Sequence, residues 1–124
     1  MNARLALALA AAFLFAAVGL GAFGAHAVRA RLAPDLMAVY QTAVQFHFWH
    51  ALGLLAVGIL MAQKPGSVAL AAAAWLLVVG LVLFCGSLYA LTLTDVRGLG
   101  AVTPFGGVAF LTAWVALAWA AWRW

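Results

Sequence analysis

His47 and His50 stand three residues apart in a long uncharged run, closely preceded by Tyr40, Gln41, Thr42 and Gln45. An imidazole inside a membrane can carry a proton, hydrogen-bond across helices or ligate a metal. The spacing His47-x-x-His50 could bring two imidazoles to one ion, but the pair alone is a weak metal signature. A bis-histidine haem needs an opposing histidine at equal depth, and the third histidine, His26, falls at a segment end. The only carboxylates, Asp35 and Asp95, lie beside Pro34 and in the segment Thr94-Asp95-Val96-Arg97-Gly98, which read as loops. Asp35 reads as a helix cap and Asp95 as a loop turn or an ion-pair partner of Arg97. No paired acids and no nucleophile with an adjacent base are visible. The chain is therefore expected to be no enzyme, with no catalytic residues, no bound metal and no cofactor.

The elements that must position these side chains are dictated by composition. Of 124 residues, 70% are hydrophobic and 6% are charged, against about 25% charged in a soluble domain. Such a chain cannot cover its surface with polar groups in water, so lipid must be its solvent. The net charge of +4 comes from single, scattered basic residues, not from a stripe that could follow a phosphate backbone. No nucleic-acid partner is expected. The single cysteine, Cys85, lies in an apolar run and reads as a small packing residue.

A helix crosses a bilayer core of about 30 Å with roughly 20 apolar residues. Four runs qualify, with spans expected near 5–27, 36–62, 67–92 and 104–122. The expectation is an all-α membrane protein, one domain over 1–124, built as a bundle of four transmembrane helices with short loops. Arg4, an apolar run and Ala25-His26-Ala27 together imitate a cleavable signal peptide, but the run exceeds the usual 7–15 residues of a signal core and is read as the first span. Pro34 stops what precedes it, Asp35 is placed as the N-cap of a helix opening at Leu36, and Lys64-Pro65-Gly66 closes that helix with a turn. Pro104 belongs in the first turn of the fourth helix, and Trp122 and Trp124 around Arg123 form an interfacial belt. Each half reads as span, Arg-bearing loop, proline, span, a weak sign of duplication. Arg4, Lys64 and Arg123 fall on one side and Arg29, Arg31 and Arg97 on the other. That balance leaves the positive-inside rule nothing to weigh beyond the clustering of Arg29 and Arg31, which leans that loop toward the cytoplasm.

The first helix carries small residues four apart at Ala6 and Ala10 and again at Ala17, Gly21 and Ala25. Lipid supplies no hydrophobic drive for helix pairing, so close backbone approach must hold the bundle. Gly21 and Gly24 are the expected packing positions. On the second helix, Tyr40 and His47 fall within about 20° of each other and His50 about 60° beyond. Gln41, Thr42 and Gln45 occupy another arc. Tyr40, Gln41, Gln45, His47 and His50 form the candidate polar intramembrane site; the helix is expected to be central in the bundle or at an oligomer interface, with Tyr40, Gln45, His47 and His50 against protein or a small wet cavity rather than acyl chains. Ser87, Tyr89 and Thr92 on the third helix are the expected hydrogen-bond partners for His47.

Four segments carry a family pattern. They are Gly21-Ala22-Phe23-Gly24-Ala25-His26-Ala27; Tyr40-Gln41-Thr42-Ala43 through His47 to His50-Ala51-Leu52; Phe84-Cys85-Gly86-Ser87-Leu88-Tyr89; and Gly98-Leu99-Gly100-Ala101-Val102-Thr103-Pro104-Phe105-Gly106-Gly107. In this order they resemble the small inner-membrane proteins of the YgdD/YwdK type, whose function is unknown. Cys85 stands where that pattern more often has serine, and Thr112-Ala113-Trp114 replaces an expected glycine before the tryptophan. The resemblance implies four spans and a bacterial inner (plasma) membrane, and implies no activity. The functional expectation is a non-enzymatic accessory or assembly factor. Its partners would be membrane lipid and a membrane protein or further copies of itself. The alternative is a small homo-oligomeric transporter or channel built around His47. A small multidrug exporter would need an intramembrane carboxylate in its first span, and this chain has none.

Overall fold

A computed structural model describes residues 1–124. Four helices are long and apolar enough to span a membrane: α1 (Ala3–Val28), α2 (Pro34–Gln63), α3 (Val68–Thr94) and α4 (Thr103–Trp122). At 1.5 Å per residue the 30 residues of α2 make a rod of about 45 Å. That rod overreaches the hydrocarbon core at both ends. α1 packs along α2, α3 along α4, and α2 against α3, so α2 and α3 form the middle of the bundle.

The helix ends follow from local chemistry. Asn2 caps α1 by accepting from the Leu5 amide at 2.9 Å, and Ser67 caps α3 by accepting from the Leu70 amide at 3.3 Å. Between α2 and α3, Gly66 takes φ +83°, a left-handed value that glycine adopts without strain. Asp35 is not the cap of α2. The helix opens one residue earlier at Pro34, and the capping position is Ala33, which supplies no side-chain bond. Proline's fixed φ suits a first helical position, and its absent N–H is one that needs no partner there. Asp35 instead sits in the first turn, where the helix dipole favours a carboxylate. Pro104 occupies the equivalent place in α4. Asp95 ends α3 in the left-handed conformation (φ 55°) and pairs with Arg97 at 3.3 Å, while Arg97 also reaches Asp35 at 3.5 Å. A single 3₁₀ turn, Arg97–Ala101, leads into α4.

Two π turns interrupt otherwise regular helices, at Gly24–Val28 in α1 and Leu81–Cys85 in α3. One detail of the small-residue stripe is overturned. Ala6, Ala10 and Ala17 are buried as expected, but Ala25 is exposed, and Gly24 and Val28 face inward. At 100° per residue Gly24 and Val28 fall within about 20° of Ala17, whereas Ala25 lies about 80° away. The second π turn changes which backbone groups need partners, and the Ser87 hydroxyl donates to the Phe84 carbonyl at 3.0 Å.

Candidate functional site

The inward face of α2 runs through Tyr40, Ala43, His47, His50, Ala51 and Leu54. Tyr40 is 1% exposed. Its hydroxyl donates across the helix pair to the Leu20 carbonyl at 2.5 Å. Its ring lies directly over Gly24, where an added Cβ would overlap Cε1. The Tyr40 ring meets Tyr89 of α3 edge-on, with centroids 5.4 Å apart. Two turns further along α2, His47 meets the same tyrosine: its Nδ1 lies 2.9 Å from the Tyr89 hydroxyl. One side chain of α3 is thus held between two of α2.

His47 is 4% exposed, with Phe13 of α1 edge-on at 6.0 Å on its other flank. Its Nε2 is buried without a hydrogen-bond partner. A hydroxyl can donate or accept, so Tyr89 satisfies Nδ1 in either tautomer. One tautomer leaves an N–H at Nε2 and the other a bare lone pair.

His50 looks elsewhere. Its Nδ1 lies 2.8 Å from the Phe46 carbonyl one turn back. A carbonyl only accepts, so Nδ1 carries the proton. The ring stacks on Phe110 of α4 at 3.6 Å and lies 5.9 Å from Trp114. The two histidines therefore belong to different helix contacts, His47 toward α1 and α3, His50 toward α4. They are not brought together as a ligand pair.

The remaining members of the candidate site separate from these three. Tyr40, His47 and His50 are buried, whereas Gln41 and Gln45 are exposed. The two glutamines face outward because α1 covers only the Tyr40 side of α2. Gln41 and Gln45 line an open groove of about 250 Å³ between α1 and α2, with Gly21, Gly24, Tyr40 and Arg29. Of the two glycines, Gly24 is buried and pressed by Tyr40. Gly21 is partly exposed, and a Cβ there would meet Val44 and Phe48 at 3.5 and 3.7 Å, ordinary contact.

The pair Ser87–Thr103, with hydroxyls 2.6 Å apart, ties the third helix to the start of the fourth and was not foreseen. No periodic signal marks it, since Thr103 looks like an N-terminal residue of α4 and nothing more. Near it, α4 approaches α3 so closely that a Cβ at Gly106 would overlap the Phe84 backbone.

Residues 20–107 match the family described as Protein of unknown function (DUF423). The chain is 48% identical to the UPF0382 membrane protein YwdK of Bacillus subtilis over 80% of each chain. It is 41% identical to the UPF0382 membrane protein SH2409 of Staphylococcus haemolyticus over 92% of each. It is 46% identical to the UPF0382 membrane protein SERP0230 of Staphylococcus epidermidis, over 82% of this chain and 81% of that one. No solved structure matches.

Proposed function

Since the chain belongs to the DUF423 family of membrane proteins of unknown function, we propose that it is a non-enzymatic accessory or assembly factor that binds another transmembrane helix along α2. The observation that carries this reading is the exposure of Gln41 and Gln45 beside the α1–α2 groove. If the middle of α2, near residues 48–49, lies at the bilayer midplane, Gln45 sits about 5 Å and Gln41 about 11 Å from it. Both amides then fall within the hydrocarbon, where an unsatisfied polar group costs several kcal/mol. A neighbouring helix offering amide, hydroxyl or carbonyl groups would satisfy them at about 1–2 kcal/mol per bond. The bacterial inner (plasma) membrane is the proposed location, supported by bacterial relatives that are named membrane proteins.

A photo-crosslinking residue at position 41 or 45 in living cells tests this. A discrete protein adduct is expected there, absent at the lipid-facing positions Leu111 and Val115 of α4 and lost when the remaining glutamine is changed to leucine. The adduct's mass separates a second copy of the chain from a different partner. Equal labelling at all four positions, or lipid adducts alone, would defeat the reading.

One observation favours a second reading, a small homo-oligomeric transporter or channel: the buried, unpartnered Nε2 of His47. Proton flux in vesicles carrying the protein, abolished in a stably folded His47→Gln variant, would support it. Unchanged flux in that variant would end it.

A further inference from the structure

At the end of the bundle that holds both termini, the turn Lys64–Ser67 and the last turn of α4 enclose a groove of about 430 Å³. Two cations border it. Lys64 lies over the Trp124 ring with Nζ 4.9 Å from its centroid, and Arg123 lies over Trp119 at 5.4 Å. Neither has a carboxylate partner, because both ion pairs of the chain belong to Arg97 at the opposite end. The acidic side chains are segregated: Arg4, Lys64 and Arg123 share this end with none, while Asp35 and Asp95 both lie at the other.

We propose that this groove seats the phosphate headgroup of an anionic phospholipid. Charge complementarity calls for an anion: two unpaired cations flank one cleft, and the first turn of α3 forms part of its wall and adds the positive end of a helix dipole. The level in the membrane points to lipid rather than dissolved phosphate. Tryptophan and basic side chains together mark the headgroup zone. The same groove is also lined by the part-exposed Ala69 and Ala120, which belong to the spans α3 and α4 and give acyl chains an apolar surface to follow. Basic pockets between transmembrane helices at this depth are a recurrent way of holding anionic headgroups. Cation–π contacts hold the two side chains in place weakly enough, at exposed positions, to be exchanged for phosphate bonds.

The test uses the whole protein in vesicles of phosphatidylcholine doped with brominated phosphatidylglycerol or, in a parallel arm, brominated phosphatidylcholine. Bromine quenches nearby tryptophan, and Trp119 and Trp124 line the groove. Stronger quenching by the anionic lipid is expected, saturating at low mole fraction. Charge-assisted contacts from two side chains to one phosphate are together worth about tenfold or more in affinity, so Lys64→Gln with Arg123→Gln should weaken the preference by about tenfold or more. Lys64→Arg with Arg123→Lys keeps both charges and should retain it. Arg29→Gln with Arg31→Gln removes equal charge at the other end and should leave it unchanged. The proposal is overturned if the preference survives the first double variant in folded protein. It is also overturned if both charge-removing pairs lower the preference alike, which would mean general surface attraction. Displacement of the lipid by millimolar inorganic phosphate would assign the groove to a free anion and overturn the lipid assignment.

Discussion

Gly24→Ala should destabilise the bundle, while Gly21→Ala should not. Both residues sit on α1 facing α2, and both were marked by the small-residue pattern. Gly24 has ordinary right-handed helical angles, φ −60° and ψ −43°, so its backbone does not require glycine. Space does. A methyl at Gly24 overlaps the Tyr40 ring. That ring is fixed by its hydroxyl bond to Leu20 and by its edge contact with Tyr89. Overpacking costs about 1–3 kcal/mol, and displacing the hydroxyl forfeits about 1 kcal/mol more. Alanine's better helix propensity returns about 1 kcal/mol, leaving a net loss of about 1–3 kcal/mol. At Gly21 the methyl would find only ordinary contacts at 3.5 and 3.7 Å, so the propensity gain of up to about 1 kcal/mol stands nearly alone. The two variants should therefore differ by about 1–4 kcal/mol, Gly24→Ala being the less stable. Reversible unfolding in mixed micelles, followed by tryptophan fluorescence, reads the difference. In a Tyr40→Leu background the Gly24→Ala penalty should shrink below about 0.5 kcal/mol, since the obstacle is gone. Equal stabilities for the two alanine variants, or a penalty that persists without Tyr40, would refute the steric account.

Gly106→Ala and Gly80→Ala should both destabilise, because a methyl at Gly106 overlaps the Phe84 backbone and one at Gly80 overlaps the Phe110 ring, which is buried and stacked on His50. The same unfolding assay should show a loss above about 2 kcal/mol at Gly106. Tyr89→Phe should cost about 1–2 kcal/mol by leaving both His47 nitrogens unpaired. A double-mutant cycle with His47→Phe should return a coupling of about 0.6–1.7 kcal/mol, and a coupling near zero would show that the bond contributes nothing. Asp35→Asn should cost no more than about 1 kcal/mol, because its contact with Arg97 is exposed on both sides and its place in the first turn of α2 adds only a modest dipole term. Reporter fusions at Met1 and Trp124 should find both ends in one compartment, as an even number of spans requires.

The four spans were legible because they rest on length and composition alone, and a bilayer of fixed thickness reads both. The turn at Lys64-Pro65-Gly66, the proline opening of α4 and the pairing of Asp95 with Arg97 were legible because each is settled within a few residues. Tyr89 could be named among the partners of His47, since few polar groups exist at that depth and each needs another. What the amino-acid order could not decide was which polar arc of α2 is covered. In a soluble helix the apolar stripe marks the inside, but in lipid both faces are apolar and that contrast vanishes. Tyr40 and Gln41 are chain neighbours that both carry hydrogen-bonding groups. Only the docking of α1 buries one and leaves the other in an open groove. The π turns lay beyond reach for a related reason. Each shifts hydrogen bonding by a single residue, a change that composition does not record. That Gly24 rather than Ala25 faces inward follows the ordinary helical period, but only the Tyr40 ring of another helix makes its missing side chain matter.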